Sequence, residues 1–499
     1  MANLNLFMSI GTIGLLVLWF FHPGPREGWK RFLKNLPAAA MAGLFLLHIL
    51  WVVNTEDLAY AAKDLRIKLP LLVFALVLGG SYISSKQVKY VFVALGLGIW
   101  TASARAYLNY LSVDPNVFSD FRDIVEGVSH IRLSLMMVLF TAAALHYRNE
   151  LGGAMKVFAV LTVLNILFFF NLIQSASGVV ILTAVAVLTL FYLTAKHIGP
   201  AGVAATVLIL GIAAVAGGLL IKDYYGRYFV SDEPLTDLPA FTDMGNPYVH
   251  NTEIGQVENG HYTFLYVAED EMAAAWQERS THRVDGEDNI LRRAALIRYL
   301  TSKGMTKDRA GVYSLSEEDI RNIENGYPSI VYTEKKGLSL RFHTTVFGYH
   351  QFLVTGSAGG SSLFQRLVYW RAAFGLIREF FWTGTGTGDV KQAFAEAYAE
   401  NSMNLAEEFR LRAHNQYLTF FVSFGIFGFL YFVALFFVPF AGGRPSYLHL
   451  AFLLIAFAAC LTEDTLETQA GVTFFAFFYG LFSERGRTRN RGSELPEGD

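Results

Sequence analysis

Long apolar runs recur along the chain from its first residues to near its end. A helix that crosses the hydrocarbon core of a bilayer needs roughly 20 mainly apolar residues, and the runs approach that length without strict alternation. Eleven such runs lie at about 4–21, 37–53, 70–84, 89–108, 131–147, 155–172, 178–195, 201–221, 414–440, 446–463 and 468–483. The pattern therefore predicts about eleven to twelve transmembrane helices.

One long polar segment, about 222–413, separates the eighth run from the ninth. Apolar positions at helical spacing predict a helix over 285–303 that stops at Gly304. Ser316 followed by Asp319 resembles a capping box that opens a second helix, and a short extended piece is expected at 329–333. The segment is thus expected to be folded.

These patterns divide the chain into four expected parts. They are an N-terminal bundle of about eight helices (1–221), a large periplasmic loop domain with amphipathic helices (222–413), C-terminal transmembrane helices (414–483) and a cytoplasmic tail (484–499).

Composition agrees with an all-α polytopic membrane protein. Of the 499 residues 53% are hydrophobic and 16% charged, and the mean hydropathy is +0.36, too apolar for a soluble enzyme. The formal net charge of −2 gives no basic face for nucleic acid. The single cysteine, Cys460, excludes an intrachain disulfide and a CxxC redox pair.

Charges in the short loops predict the orientation of the spans. One set of loops carries 14 Lys and Arg, and the other carries only Lys63, Arg66, Lys68 and Arg122. Because positive loops stay cytoplasmic, the C-terminus is expected inside and the long polar segment outside. This predicts a multi-pass membrane protein whose long polar segment lies on the outer side of the cytoplasmic membrane.

Ionisable side chains cluster at the predicted outer ends of the spans, where they are costly and often functional. A lone residue of this kind is more typical of snorkelling or interhelical bonding, whereas several on one side favour a site that handles an anion. The candidates are Arg105, His130, Arg132, Arg366, Arg371, Arg412, His414, Glu463 and Asp464.

The pair His414-Asn415 opens the ninth run, with Gly425 and Gly428 further along it. Asn415 could orient the imidazole while His414 acts as a base near neutral pH. The equally favoured alternative is a histidine that only caps the helix. The two glycines predict close helix contact.

An amphipathic helix is predicted from Gln365, with Ala373, Phe374, Leu376 and Ile377 on one face. Arg366 and Arg371 lie about 140° apart around this helix and need not share a face. The glycine-rich stretch that follows, 382–389, lacks the Lys and Ser/Thr of a phosphate loop. A flexible turn back to the next span is expected there.

Together these residues resemble the O-antigen ligase and O-antigen polymerase superfamily. The resemblance is carried in about 363–480 by Arg366 with Trp370, Gly384-Thr-Gly386, His414-Asn415, Gly425 with Gly428, and the stretch from Leu461 to Gly471 that holds Glu463 and Asp464. It implies a helical GT-C-type membrane glycosyltransferase that moves a glycan from undecaprenyl diphosphate to a hydroxyl, without metal, nucleotide or other cofactor.

The resemblance also implies roles for residues. It makes His414, with Asn415, catalytic and Arg366 a contact to the diphosphate. Many members carry Ser-Arg-Gly at the start of a middle span, where this chain has Ser175-Ala-Ser-Gly178 without arginine. Arg371, Arg132 or Arg105 would then supply the second phosphate contact, with Arg412, Glu463, Asp464 and Trp370 in support. The pair Glu463-Asp464 is expected to orient His414 or an arginine. The resemblance also implies a bacterial inner-membrane protein whose active site faces the periplasm.

The predicted function is an O-antigen ligase-like transfer to a lipid A-core sugar. A polysaccharide polymerase and an O-linked oligosaccharyltransferase that acts on protein differ from it only in the acceptor. A transporter or flippase is the alternative from another class, but it would carry charges at the membrane midplane, and here they crowd the span ends.

Overall fold

The computed structural model describes residues 2–21, 24–112, 124–125, 129–356, 358, 361–400 and 409–491. Arg122 and the tail beyond residue 491 lie outside the described residues. The described chain is almost entirely helical, and one antiparallel hairpin pairs β1 (Val257–Glu258) with β2 (His261–Tyr262). It folds into two compact units, one of residues 1–197 with 365–499 and one of residues 198–364.

Twenty α-helices are described. They are α1 (Ala2–Phe21), α2 (Pro25–Leu33), α3 (Leu36–Leu50), α4 (Leu58–Gly80), α5 (Ser85–Ser112), α6 (His130–Tyr147), α7 (Gly153–Leu172), α8 (Ala176–His197), α9 (Pro200–Phe229), α10 (Glu269–Arg279), α11 (Ile290–Ser302), α12 (Arg309–Tyr313), α13 (Glu317–Glu324), α14 (Val331–Glu334), α15 (Gly337–Thr355), α16 (Ser362–Glu379), α17 (Val390–Glu400), α18 (Gln416–Leu435), α19 (Tyr447–Thr462) and α20 (Gln469–Arg491).

The protein is an all-α polytopic membrane protein. Within the described ranges, seven helical stretches are long and apolar enough to cross a membrane, and the pair α1–α2, bent by 106°, would make eight. This is fewer than the eleven predicted runs. The run at 70–84 is the second half of α4, whose first half is charged, and α19 with the apolar part of α20 forms two shorter helices.

The core of the first unit forms where α4 packs between α3 and α20, and where α6 packs against α8 and α19. Close approach at the end of α4 depends on Gly79, because a Cβ there would collide with Ala38 of α3. Lys68 corrects the sequence interpretation: it is not a loop residue but a fully buried member of α4. The unit therefore buries charge as well as apolar surface.

Helix α18 is broken midway at Gly425, whose φ of 63° and ψ of −164° are not helical. The glycine-rich stretch fills the break: Thr385 and Gly386 donate their backbone N–H groups to the carbonyls of Val422 and Ser423, at 2.8 and 2.9 Å. Ile426 N–H in turn donates to Phe381 O at 2.9 Å. Backbone groups released by a broken helix in a membrane need such internal partners.

This arrangement overturns two expectations about the glycines. Residues 384–388 are buried and hydrogen-bonded, so the stretch is a fixed insert rather than a flexible turn. Gly425 was expected to allow two continuous helices to pack closely. It instead allows the glycine-rich stretch to approach α18, because a Cβ on Gly425 would collide with the carbonyl of Trp382. Only glycine tolerates both this φ and this contact.

The second unit contains α9, the hairpin and helices α10 to α15. The predicted helix over 285–303 is confirmed as α11 after a short 3-10 turn, and both hydrogen bonds of the capping box at Ser316 and Asp319 are present. The extended piece predicted at 329–333 is wrong, since α14 is helical. Its apolar residues are too few for the pattern to separate strand from helix.

Candidate functional site

His414 lies at the entrance to α18 in a left-handed backbone conformation, with φ of 45°. Such a conformation is costly for a residue with a side chain and persists only where the surroundings hold it. Asn415, not His414, caps the helix: its side-chain oxygen accepts from the backbone N–H groups of Tyr417 and Leu418. The interpretation of His414 as a capping residue is therefore wrong, and its imidazole is left for another task.

Glu463 lies opposite the imidazole and connects it to an arginine. Its Oε2 is 3.4 Å from His414 Nδ1, and its Oε1 is 2.8 Å from Nη2 of Arg366. The 3.4 Å contact is in the range of an ion pair rather than a well-aligned hydrogen bond. Glu463 follows the last residue of α19, so one carboxylate joins α16, α18 and α19.

Asp464, the next residue, holds the backbone of His414. Its Oδ2 accepts the His414 backbone N–H at 3.1 Å, and its Oδ1 accepts the hydroxyl of Thr419 at 2.6 Å. The amide of Asn415 also donates to Leu461 O at 3.1 Å. These contacts from the end of α19 fix the unusual conformation at His414.

The two adjacent carboxyl groups have pKa values shifted in opposite directions. Burial alone would raise the pKa of Glu463, but the imidazole of His414 and the charges of Arg366 and Arg132 outweigh it and lower the pKa. Burial is the main cause that raises the pKa of Asp464, and the Arg412 charge and the Thr419 hydroxyl oppose it only in part. Glu463 is therefore the carboxylate that is held ionised.

Arg132, in the first turn of α6, contributes a second positive charge that acts on Glu463. The Nε atoms of Arg132 and Arg366 are both buried, and neither has a hydrogen-bond acceptor among the described residues. Buried donors without acceptors are rare in folded proteins and need an explanation. Here two of them act on one carboxylate, and guanidinium donors of this kind can bind an anion.

The segment at the place of Ser-Arg-Gly contacts α6, the helix that also carries Arg132. Ser175, just before α8, shares a hydrogen bond of 2.9 Å with Ser134 of α6. Arg132 lies two residues before Ser134, so its side chain leaves α6 on a different side from this contact.

Helix α16 contacts the His414 loop through two adjacent aromatic residues. The ring of Tyr369 stacks on the imidazole of His414, with centroids 5.6 Å apart. The indole N–H of Trp370 donates to the carbonyl of Ala413 at 3.1 Å. The amphipathic helix predicted from Gln365 is confirmed, but Phe374 is exposed and lies away from the buried face of Ala373, Leu376 and Ile377.

A second, deeper ion-pair network lies beside the site and was missed by the sequence reasoning. Arg412 Nη1 and Lys68 Nζ bind the two oxygens of Glu467, at 2.8 and 3.1 Å, and Lys68 also pairs with Asp64 at 2.9 Å. Gln416 completes the network by donating to Glu467 at 2.9 Å. The i, i+4 spacing of Asp64 and Lys68 next to an apolar run was the available signal.

Burial alone would raise the pKa of Glu467, but the Lys68 and Arg412 charges outweigh it, so its pKa is strongly lowered. Arg412, a predicted supporting residue, joins this network, which continues from the Glu463–Asp464 loop through a 3-10 turn at Thr465–Glu467. The network fixes the loop that carries Glu463.

Three predicted residues lie apart from these contacts. Arg105 is exposed on α5, and the ion pairs described above do not include it. Arg371 is exposed on the side of α16 that lines a cleft against α17. His130 is the first residue of α6, whose cap is Ser129.

No group of three or more His, Cys, Asp or Glu side chains arranged to hold a metal occurs in the part of the chain that the structure describes. The carboxylate oxygens of Glu463 and Asp464 are engaged by Arg366, His414 and Thr419. Metal independence stays a prediction.

The helices and this site define a polytopic membrane protein in which half-buried arginines and a histidine meet at the ends of helices. Residues 330–433 match the family model described as O-antigen ligase, which confirms the predicted resemblance. The chain is similar to that family over these residues, and the similarity supports a membrane glycosyltransferase-like enzyme of the O-antigen ligase and polymerase type, a family that acts on a lipid-linked glycan and an acceptor. No curated protein matches the chain significantly.

Proposed function

We propose that this protein transfers a glycan from undecaprenyl diphosphate to a hydroxyl of a lipid A-core sugar on the periplasmic side of the bacterial inner membrane. The observation that carries the proposal is the presence of two guanidinium groups, those of Arg366 and Arg132, whose charges act on the Glu463 carboxylate that faces His414 and whose Nε atoms have no acceptor among the described residues. This reaction needs positive charge that stabilises the anionic leaving group, and it needs a base that accepts the proton of the acceptor hydroxyl.

His414 acts as the general base in the proposed mechanism. With Nδ1 towards Glu463, Nε2 is the ring nitrogen available to the acceptor hydroxyl, and the side chain keeps 31% of its surface exposed. Glu463 orients the ring and stabilises the imidazolium that forms, as a carboxylate does in a catalytic triad. Base catalysis of this kind contributes about 10²–10⁴-fold.

The arginines stabilise the leaving group. As the acceptor oxygen bonds to the anomeric carbon, the bond from that carbon to the diphosphate oxygen breaks, and the acceptor proton passes to His414. Negative charge develops on the lipid diphosphate, where the fixed guanidinium groups of Arg366 and Arg132 meet it. Arg132 thereby replaces the arginine that Ser175-Ala-Ser-Gly178 lacks.

A polymerase and a protein-directed oligosaccharyltransferase would use the same base and arginines with another acceptor. An assay with purified protein and lipid-diphosphate glycan separates the three. Lipid A-core, further donor and a hydroxyl-bearing peptide are offered in turn, and we expect lipid A-core to be extended.

The matched test of the site compares His414→Ala with Asn415→Ala and with a change at the exposed His282. His414→Ala should abolish transfer while thermal stability and donor binding stay near wild type, because His414 is not the cap. Asn415→Ala should lose about 1 kcal/mol of stability, and His282→Ala should change neither property. Normal turnover of a folded His414→Ala variant would refute the mechanism.

A further inference from the structure

Helix α9 ends in a group of tyrosines that marks the edge of the membrane. Almost none of its apolar residues is buried in the folded chain, as expected of a span that lipid covers. The apolar run, 201–221, ends at Lys222, and Tyr224, Tyr225 and Tyr228 follow. Tyrosines are enriched where spans enter the headgroup region. The edge of the hydrocarbon core therefore lies near Tyr224 and Tyr225.

Helix α15 crosses this end of α9 rather than running alongside it. The hydroxyl of Tyr224 shares a hydrogen bond of 2.9 Å with Nδ1 of His343, and that of Tyr225 shares one of 3.0 Å with Nδ1 of His350. The two tyrosines are adjacent, about 1.5 Å apart along α9, whereas the histidines are seven residues, or about 10.5 Å, apart along α15. The ring of Phe229 also stacks on both imidazoles, with centroids 5.4 Å apart in each case. Since α9 is long and apolar enough to cross the membrane, α15 lies along the membrane surface.

One side of α15 is apolar and exposed. Phe342, Tyr349 and Leu353 are 40%, 46% and 57% exposed. Their positions i, i+7 and i+11 fall within about 40° of each other around the helix, so they form one face. The helix has 19 residues, yet it is not among the described helices that are apolar enough to cross a membrane. One apolar face on an otherwise polar helix is typical of a segment that lies in the membrane interface.

This face points towards the hydrocarbon core. The ring of Phe342 lies 4.9 Å from that of Tyr224, and the ring of Tyr349 lies 6.1 Å from that of Tyr225, at the level where the hydrocarbon ends. The two histidines are about a quarter turn away around α15 and stack on Phe229, which is about one turn farther from the apolar run of α9. The apolar face is therefore nearer to the membrane core than the histidines are.

The folded part of the second unit covers a different side of α15. The backbone N–H of Val257 in β1 donates to Nε2 of His350 at 3.1 Å. The guanidinium of Arg298 in α11 lies 4.2 Å from the ring centroid of Phe347, which is about 140° from Phe342 around the helix. These contacts leave the side of Phe342 facing outward, in agreement with its exposure.

Lysines accompany the face at the level of the headgroups. Nζ of Lys335, just before α15, lies over the rings of Tyr224 and Tyr228, at 5.4 and 5.0 Å from their centroids. The next residue, Lys336, is exposed, and Glu334 is the acidic neighbour in the sequence. Lysines in this position extend along aromatic surface and present their ammonium groups to headgroup phosphates.

We propose that α15 is a membrane-surface helix whose face of Phe342, Tyr349 and Leu353 is buried in the phospholipid bilayer beside α9. Such a helix inserts its apolar face about 5–10 Å into the boundary between headgroups and acyl chains. Lipid suits this face better than a second protein does, because the face lies at the hydrocarbon edge of a span and is accompanied by lysines for the phosphates. The second unit is then held to the bilayer by a span and by a helix that lies along the surface. This inference does not depend on the proposed transfer reaction.

The test measures the membrane depth of two neighbouring positions on opposite sides of α15. Leu353 and Thr355 are both exposed and lie about 200° apart around the helix. Leu353→Cys and Thr355→Cys are made in a Cys460→Ala background, because Cys460 is the single cysteine of the chain. Full-length protein that carries a nitroxide on the new thiol is reconstituted into vesicles of phosphatidylethanolamine and phosphatidylglycerol. Collision rates are then measured with oxygen, which concentrates in hydrocarbon, and with a nickel chelate, which stays in water.

The label of Leu353→Cys should lie about 5–10 Å inside the level of the phosphates, with oxygen collisions in excess over nickel collisions. The label of Thr355→Cys should lie on the aqueous side, with this ratio reversed. Tyr349→Cys repeats the measurement in the middle of the face and should match Leu353→Cys. Melting temperatures near that of Cys460→Ala alone would show that the labelled variants are folded.

Frequent nickel collisions at Leu353→Cys and Tyr349→Cys would show that water covers the face and would overturn the proposal. Few collisions with either reagent would show that protein covers it, for example a second copy of the chain, and would overturn the proposal as well. Equal depths for Leu353→Cys and Thr355→Cys would show that α15 does not lie along the surface with this face inward.

Discussion

Arg366 and Glu463 are 97 residues apart in sequence and form an ion pair of 2.8 Å. The pair occupies one Nη of the guanidinium and leaves its buried Nε without an acceptor among the described residues. Glu463 thus holds the planar group in place while part of its donor capacity stays available. We therefore expect the planar shape of the guanidinium, and not its charge alone, to matter for transfer.

Arg366→Lys should lose most transfer activity, nearly as much as Arg366→Ala, because an ammonium group cannot keep Glu463 and bind a diphosphate with a second fixed donor. Single-turnover rates with a lipid-diphosphate glycan would measure the loss, expected at about 10²-fold or more. Arg321→Lys, at an exposed position of α13, is the control and should leave the donor reaction near wild type. Full activity of Arg366→Lys would exclude the proposal that the guanidinium binds Glu463 and the diphosphate at the same time.

Glu463→Gln should change how stability depends on pH. Since the folded pKa of Glu463 is lowered below its ordinary value of 4.5, its ionised form stabilises the fold above that value, and this contribution is lost as pH falls through the folded pKa. The variant should be about 1–3 kcal/mol less stable at neutral pH, because Arg366 loses a buried charged partner. Melting curves across acidic pH should fall more steeply for wild type than for Glu463→Gln; parallel curves would contradict the shift.

Gly384→Ala should destabilise the protein by about 1–3 kcal/mol. Gly384 has φ of 68°, and a Cβ would collide with the backbone at Ser423 and Gly425. Gly375→Ala, on an open surface of α16, is the control and should be neutral or slightly stabilising. Thermal unfolding in detergent measures the stability of both variants. A Gly384→Ala variant as stable as wild type would show that the glycine-rich stretch can shift away from α18 at little cost.

Excess EDTA should leave transfer unchanged. The carboxylate oxygens of Glu463 and Asp464 already accept hydrogen bonds from Arg366, from the backbone N–H of His414 and from the hydroxyl of Thr419. A cation would have to displace these donors. Transfer rates with EDTA, and after addition of magnesium or manganese, provide the check. A requirement for either ion would make these two carboxylates metal ligands.

The sequence predicted the helical membrane class because apolar runs of this length are typical of helices that cross a bilayer. It also identified Arg366, His414, Glu463 and Asp464 as candidates, because ionisable residues near the ends of apolar runs are easily recognised in a sequence. The pair Glu463-Asp464 was expected to orient His414 or an arginine, and Glu463 contacts both His414 and Arg366. The orienting role expected of Asn415 is wrong, because Asn415 caps α18.

The sequence pattern could not predict ion pairs between helices that are far apart in the chain. Lys68 was counted as a loop charge, yet it is buried between Asp64 and Glu467, a residue some 400 positions later. Arg105 and Arg371 were grouped with Arg366 because all were expected on one side of the membrane. Sharing a side does not by itself bring side chains together, and the second arginine whose charge acts on Glu463 is Arg132.

The break in α18 has a consequence for biogenesis. The N–H groups that bond to the carbonyls of Val422 and Ser423 come from residues about 40 positions earlier, so α18 in its native, broken form cannot satisfy its own backbone. Translation delivers the glycine-rich insert before α18, and the helix reaches its native form only by capturing that earlier segment. His414, the proposed base, lies at the entrance of this helix, so the proposed site is complete only after the segment that follows α16 has joined α18.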